Sequence, residues 1–506
     1  MEILIFLVWI PTVVLAMLKD FEHVEDFINQ RRYFVKKKYR PNYHITAPEG
    51  WLSNPTGFVY FKKQYHVFYQ YHPNRGAWGH MHWGHSASKN LIDWTHYPPA
   101  LIPKEYYDKH GCFAGSAQVH DNYLYLFYTG SLVFSNRTFE TQSVALSVDG
   151  ILYQKYLYNP VIRESPHGVE EFRNPKVWKF RQTWYMIIGT TSRERNGQLL
   201  LYSSQDLVNW KFYRVLAESY GDMGYVWESP DIFEIEDQYV LIISAQGIQS
   251  EGHRFRNLYQ TGYVVGSFNY LHGQFDDLEV STATFNELDY GHDFYAAKTM
   301  LAPDGRILLV AWLGMWESDF LEAQSGWAGM LTLIREVRMN KQGRITMTPV
   351  RETAQLRTEI LEEAWYSPGE AFLAGAKFFE MLVNTSAVFS DVIILLEWSG
   401  GRYTIAYSSE AGQITVDRGG EDGIRRADWS PNHHVYFHIF VDSSSIEVFC
   451  GEGEVVFSSR IYPKSIKVKI EGKSQVHIAQ YSLKRSIGFD KNLVKYLKSH
   501  VIKSLN

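Results

Sequence analysis

A seven-residue pattern recurs three times at nearly even spacing, and it restricts the fold more than any other feature of the chain. Ser88-Lys-Asn90-Leu-Ile-Asp-Trp94 is matched by Ser204-Gln-Asp206-Leu-Val-Asn-Trp210, and Ser147-Val-Asp149-Gly-Ile-Leu-Tyr153 lies between them. The copies start 59 and then 57 residues apart. Short runs with period-two alternation surround them, at 57–71, 123–130, 184–189, 239–244 and 307–312, each bounded by Gly, Asn, Asp or Pro. Such runs read as strands separated by turns. A repeat of about 58 residues suits one four-stranded propeller blade with its loops, and the region 42–350 accommodates about five.

After Pro349 the texture changes. The reading is an all-β chain, a five-bladed β-propeller over 42–350 followed by a β-sandwich over 370–485. A linker over 351–369 joins them, with a short helix expected at Glu352–Glu363. Further alternating strands follow at 392–398, 403–408, 435–442 and 445–449, with Asp442-Ser-Ser-Ser445 as a turn. Two antiparallel sheets packed face to face fit them. Other helical patterns are expected only near the ends, at 20–38 within the N-terminal segment 17–41 and at 490–505 within the tail 486–506.

Lys plus Arg is 50 and Asp plus Glu is 55, a net charge of −5. No basic excess is present to neutralise a phosphate backbone, so nucleic acid is not the expected partner. Aromatic residues reach 16%, which favours strands and a site that stacks on ring-shaped ligands. Two cysteines, Cys112 and Cys450, have no metal spacing; two buried free thiols or one long-range disulfide would accommodate them. The apolar run 3–18 is short for a membrane span, and Val14-Leu15-Ala16 ends it as a cleavage site would. Residues 1–16 therefore read as a signal peptide, with an uncleaved anchor as the alternative. Secretion, with no membrane association after cleavage, is expected. Two sequons, Asn136-Arg-Thr138 and Asn384-Thr-Ser386, suit that route.

No Walker loop, nucleophile elbow, zinc helix or dinucleotide fingerprint is present. What remains is polar residues among aromatics at strand ends. Sugar hydrolases work with two carboxylates and aromatic seating for the ring. Glu228, beside Trp227, is the best candidate acid, because partial desolvation raises a carboxyl pKa.

Six motifs carry a resemblance. Trp51-Leu-Ser-Asn54-Pro-Thr-Gly57 resembles W-M-N-D-P-N-G, Phe172-Arg-Asn174-Pro-Lys-Val177 resembles F-R-D-P-K-V, and Trp227-Glu228-Ser-Pro-Asp231 resembles W-E-C-P-D. Trp78-Gly-His-Met-His-Trp83-Gly-His, Cys112-Phe-Ala-Gly-Ser116 and Asp289-Tyr-Gly-His-Asp-Phe-Tyr295 fall in the matching order. Over about 42–485 the chain resembles glycoside hydrolase family 32, the β-fructofuranosidases. The resemblance implies a five-bladed propeller with a sandwich and retaining hydrolysis at the fructosyl C2, without metal or organic cofactor. An Asp of the first motif attacks, the Glu of the third serves as acid and base, and the Asp of the second stabilises the transition state. Sucrose, fructose or a short β-fructoside is the implied small-sugar partner.

Two of those three carboxylates are absent here. Asn54 stands at the nucleophile position and Asn174 at the stabiliser position; only Glu228 is retained. Ser53, Thr56 and Ala114 depart as well. The other positions implied for the sugar are Gln70, Trp78, Phe113, Arg173, Asp289, Tyr290 and Trp312 or Trp327. Asparagine preserves the shape of aspartate and offers both an acceptor and a donor, but carries no charge and attacks poorly. Both asparagines precede proline, which lacks the backbone N–H that ordinary deamidation needs. A sugar-binding protein without turnover is the expectation. Hydrolysis through a displaced carboxylate, Asp231, Asp289 or Asp293, is the alternative. His80, His82 and His85 are expected to be satisfied within the fold.

Overall fold

The computed structural model describes residues 38–490, less positions 74, 136, 167, 277–278, 386–389 and 432–433, together with Leu493 and Leu497. The signal peptide, the expected helix at 20–38 and Asn136 lie outside the described residues. Of the expected C-terminal helix, Leu493 and Leu497 are helical and bury against Ala87 and Tyr97.

Residues 50–349 form antiparallel meanders. The first blade is Gly50–Phe61, Gln64–His72, His82–Ser88 and Trp94–Leu101; the second is Gly111–His120, Tyr123–Phe134, Arg137–Ser147 and Gln154–Lys155. The third is Phe172–Phe180, Thr183–Thr191, Gly197–Ser204 and Lys211–Glu218. The fourth is Val226–Ile235, Gln238–Gln246, Tyr259–Asn269 and Gln274–Asp276, with Asn286–Glu287 also on its third strand. The fifth is Tyr295–Leu301, Ile307–Trp312, Arg335–Met339 and Ile345–Pro349. The first strands of successive blades touch in cyclic order, and that of the fifth touches that of the first. Five blades therefore close a ring around one axis.

Second strands are buried on both faces, so they read as unbroken apolar runs. Val240, Leu241, Ile242 and Ile243 are all fully buried. The outermost strand of the third blade, Lys211–Glu218, lies open on its edge. Ring closure is reinforced by Trp327–Ala328, which pairs in parallel with Gly50–Trp51. Trp51, Trp312, Trp316 and Phe320 pack edge-on and stacked behind that seam.

The repeated sequence pattern is a turn between third and fourth strands. Asn90 Oδ1 accepts from the N–H groups of Ile92 and Asp93, Asp149 Oδ1 from Ile151 and Leu152, and Asp206 Oδ1 from Val208 and Asn209. Trp94 and Trp210 return their indole N–H to the carbonyls of Leu91 and Leu207. A short polar side chain thus replaces backbone partners at the same corner of three blades.

The sandwich consists of two six-stranded sheets enclosing a core of Phe379, Met381, Ile394, Tyr403, Phe437, Ile439 and Ile478, among others. It begins earlier than the sequence suggests. The expected helix at Glu352–Glu363 is a 3₁₀ turn at Arg351–Leu356 followed by a strand, Arg357–Tyr366, paired with Val476–Leu483. Glu, Leu and Ala favour helix weakly, and the ladder offered by an open sheet edge outweighs them. The segment after 485 is likewise built in, since Ile487–Gly488 pairs with Trp94–Thr95 of the first blade. Cys112 and Cys450 are both buried free thiols.

A buried charge network joins propeller to sandwich. Asp442, in the expected turn, accepts from the backbone N–H of Asn42 and Tyr43 and pairs with His44, whose other nitrogen meets Glu447 at 2.9 Å. Glu447 also receives Arg335 at 2.6 Å. Every member is completely or nearly completely buried.

Candidate active site

Each of the five innermost strands carries a β-bulge near its start, with the extra residue on the inner strand. The bulges fall at 53–56, 114, 174–175, 229–230 and 296–297. A bulge re-aims side chains and twists the strand. The five inner strands touch in cyclic order, so the bulges are arranged around one axis. Asn174, Ser229 and Ala296 take the left-handed conformation there, with φ of 64°, 46° and 58°. Asparagine tolerates that region better than most side chains. Four of the six sequence motifs, at 51–57, 112–116, 172–177 and 227–231, contain a bulge, and the motif at 289–295 ends just before the fifth.

Buried charge ties the third blade to the second and to the fourth. Arg173 donates from Nε to Glu228 Oε1 at 2.8 Å, and from Nη1 to both oxygens of Glu140 at 3.1 Å. Glu140 also accepts the Phe172 N–H at 2.6 Å. Tyr295, from the fifth blade, donates its hydroxyl to Glu228 Oε2 at 2.8 Å. Burial opposes charge on Arg173, but Glu140 and Glu228 outweigh it and hold the guanidinium ionised. Burial, and then the adjacent Glu228 carboxylate, push the Tyr295 phenol well up, so it stays a donor. Asn174 accepts the Ser229 N–H on Oδ1 at 3.1 Å, and its own N–H goes to Thr129, whose hydroxyl donates to Gln142. Gln142 in turn donates to the Phe172 carbonyl. Gly189 lies opposite Arg173 in its blade, and a Cβ added there would sit 2.2 Å from the Trp227 carbonyl oxygen. Only glycine lets the two blades approach so closely.

Asn54 is 7% exposed, and its Oδ1 is buried without a hydrogen-bond partner among the described residues. Ser53 and Ala114 are buried in the bulged segments of the first two blades. Gln70 donates to the Cys112 carbonyl, and Trp83 to that of Phe113, which ties the second blade to the first. Trp78 is 53% exposed, with its ring 6.3 Å from Phe113, an open aromatic edge.

Four expected sugar contacts are spent elsewhere. Asp289 is buried against the sandwich, where it receives Arg335 at 2.8 Å, the Ser458 hydroxyl at 2.7 Å and the Gly291 N–H. Tyr290 packs on the sandwich core. Trp312 and Trp327 are buried in the seam between last and first blades, and the Trp327 indole donates to the Lys38 carbonyl. The motif containing Asp289 contributes Tyr295 instead, six residues further on. Trp227 does not face the Glu228 carboxylate either, because neighbours in a strand point to opposite faces. Its indole is buried and bonded to the Met223 carbonyl. Glu140, Thr129 and Gln142 gave no motif signal; their positions follow only from blade-to-blade packing.

The displaced carboxylates are committed too. Asp231 meets Lys176 at 2.6 Å and accepts both the N–H and hydroxyl of Thr299. Asp293 pairs with Arg418 and the Arg460 N–H at the sandwich. His80 bonds the Lys109 carbonyl and His82 that of His80, whereas His85 meets His66 through Nε2 and buries Nδ1 without a partner among the described residues, so the expectation of satisfied histidines does not hold for His85.

Comparison with known proteins decides the ancestry. The model described as glycosyl hydrolases family 32 N-terminal domain matches residues 44–349, and that described as glycosyl hydrolases family 32 C terminal matches 355–489. The chain belongs to glycoside hydrolase family 32. A raffinose invertase of Escherichia coli is 38% identical over 84% of this chain and 90% of its own length. A sucrose-6-phosphate hydrolase of Zymomonas mobilis is 36% identical over 86% and 89%. Among solved structures, the Bombyx mori GH32 beta-fructofuranosidase BmSUC1 superposes with a TM-score of 0.86 at 41% identity, covering 93% of this chain and 99% of that one. A mutant of that enzyme is known in complex with sucrose. Within this family, the chain holds Glu228 between Arg173 and Tyr295 and carries amides at 54 and 174.

Proposed function

We propose that this family 32 chain is a secreted protein that binds sucrose or a related small β-fructoside without effective hydrolysis. The observation that carries the reading is the pairing of an intact, fully supported Glu228 with neutral amides at both other carboxylate positions. Arg173 and Tyr295 hold the glutamate in place. Nothing then attacks the anomeric carbon, because Asn54 is a poor nucleophile and the oxocarbenium-like charge lacks support. Loss of one central group commonly costs about 10⁴-fold in rate, and a second adds less than proportionally. Asp231, Asp289 and Glu140 have their oxygens taken by close partners, and Asp293 is held at Oδ2 by Arg418 and the Arg460 N–H at the sandwich, which speaks against a substitute nucleophile. The apolar run 3–18 supports export.

The test is thermal unfolding with and without sugar, beside a glucose-release assay on sucrose. Binding to the native state alone raises the melting temperature in proportion to ln(1 + [L]/Kd). A concentration-dependent rise with sucrose or fructose, and no glucose, is the expected result. No rise with any fructoside contradicts it.

A further inference from the structure

One face of the sandwich holds an aromatic row that the sugar site does not use. Trp365, His477, Asn384 and Tyr436 are direct cross-strand neighbours on four adjacent strands, all on the outer side of the sheet. Their strand neighbours Tyr366, Val383, Phe437, Val476 and Ile478 point inward to the core. Further along the same face, Phe440, Phe449 and Val456 are covered by the propeller. The row itself is partly open, with His477 and Tyr436 half-buried. Trp365 is 54% exposed and meets His477 edge-on at 5.3 Å, and Asn384 is exposed. A half-exposed Trp in a row of rings is the informative kind of surface feature. Asn384 is also the acceptor of the sequon Asn384-Thr-Ser386. Its side chain makes no hydrogen bond among the described residues.

We infer that Asn384 is N-glycosylated, and that the first sugars of its own glycan lie along this row. In the transfer, Nδ2 of Asn384 attacks C1 of the first sugar of a lipid diphosphate-linked oligosaccharide. The N–C1 bond forms, the C1–O bond to phosphate breaks, the lipid diphosphate leaves and the amide loses one proton. Neighbouring strands are about 4.8 Å apart. Tyr436 and His477 thus flank the attachment point on either side, and Trp365 lies one strand beyond His477. The flat apolar faces of sugar rings suit such a platform, with ring edges and His477 available for hydrogen bonds. This inference rests on the proposed export of the chain.

The experiment expresses the full chain, with its own N-terminus, in a eukaryotic cell line and recovers it from the medium. Peptide mass spectrometry reads Asn384 before and after enzymatic glycan release in heavy-oxygen water. Occupancy of Asn384, removed by Asn384→Gln, is expected. Trimming the glycan should lower the melting temperature by about 2 °C. Trp365→Ala should keep the occupancy and abolish that difference. Secreted protein with an unmodified Asn384, or a chain retained in the cell without glycan, overturns the modification. A Trp365→Ala glycoprotein that keeps the full difference overturns the platform. Neither readout involves fructosides, so failure here leaves the sugar-binding reading standing, and the converse.

Discussion

At the scale of single residues, the site is a chain of fixed donors around one carboxylate. Glu140 matters as much as the residues named by motif, because it receives Arg173 at both oxygens and anchors the Phe172 N–H. Replacing one member of a buried pair leaves its partner uncompensated, at a cost of about 3 kcal/mol. Glu140→Gln is therefore expected to lower unfolding stability by that order in urea titration and to reduce the sucrose-induced rise in melting temperature. If that variant keeps both, Arg173 is not held by Glu140. Such partners were invisible beforehand. Glu140 sits in an exposed-looking run, Arg137-Thr-Phe-Glu140, with no pattern around it. Glu228, Arg173 and the two asparagines were legible because each lies in a short motif beside proline. Asp289 and Trp327 misled for the opposite reason: a motif records that a residue is constrained, not whether a ligand or a domain partner constrains it.

At the scale of strands and blades, the period-two pattern marked the strands well, and the 58-residue spacing marked the blades. Neither showed the bulges, since one extra residue leaves no trace in an alternation already broken by Pro and Gly. The bulges nonetheless carry Asn54, Ala114 and Asn174 and adjoin Arg173, Glu228 and Tyr295. Gly189 is the test of this level. A methyl group there would press on the Trp227 carbonyl, next to Glu228. Gly189→Ala should cost about 1–3 kcal/mol through overpacking and should weaken sucrose binding, because the third and fourth blades must part. Unchanged binding in that variant, measured by calorimetry, would mean that blade spacing does not set the Arg173–Glu228 geometry. The helix expected at 352–363 failed at this scale too. Its residues favour helix locally, but Arg357–Tyr366 gains a ladder with Val476–Leu483 that no local rule reveals.

At the scale of the whole molecule, propeller and sandwich are one body joined by buried charge. Burial opposes protonation of His44, but Asp442 and Glu447 outweigh it and raise the imidazole to about 9. The unfolded value is about 6.5. A raised folded pKa contributes stability in full below about 6.5 and loses it as pH rises through about 9, a contribution on the order of 3 kcal/mol. Burial drives Lys298 down to about 7, which acts in the opposite sense as pH rises. The difference between wild type and His44→Gln therefore isolates the clamp. That difference should be large near pH 6 and shrink towards pH 10 in urea unfolding; a constant difference would show that His44 is neutral in the folded chain. The same joint explains why Asp289, in a site motif by sequence, serves the interface.

The central claim is that the pocket persists and only its chemistry has been withdrawn. Glucose release from sucrose, by wild type and by Asn54→Asp with Asn174→Asp, tests it most directly. The restored carboxylates should give turnover at least about 10³-fold above wild type, lost again on Glu228→Ala. Sucrose turnover by the unaltered chain, abolished by Glu228→Ala, would contradict it.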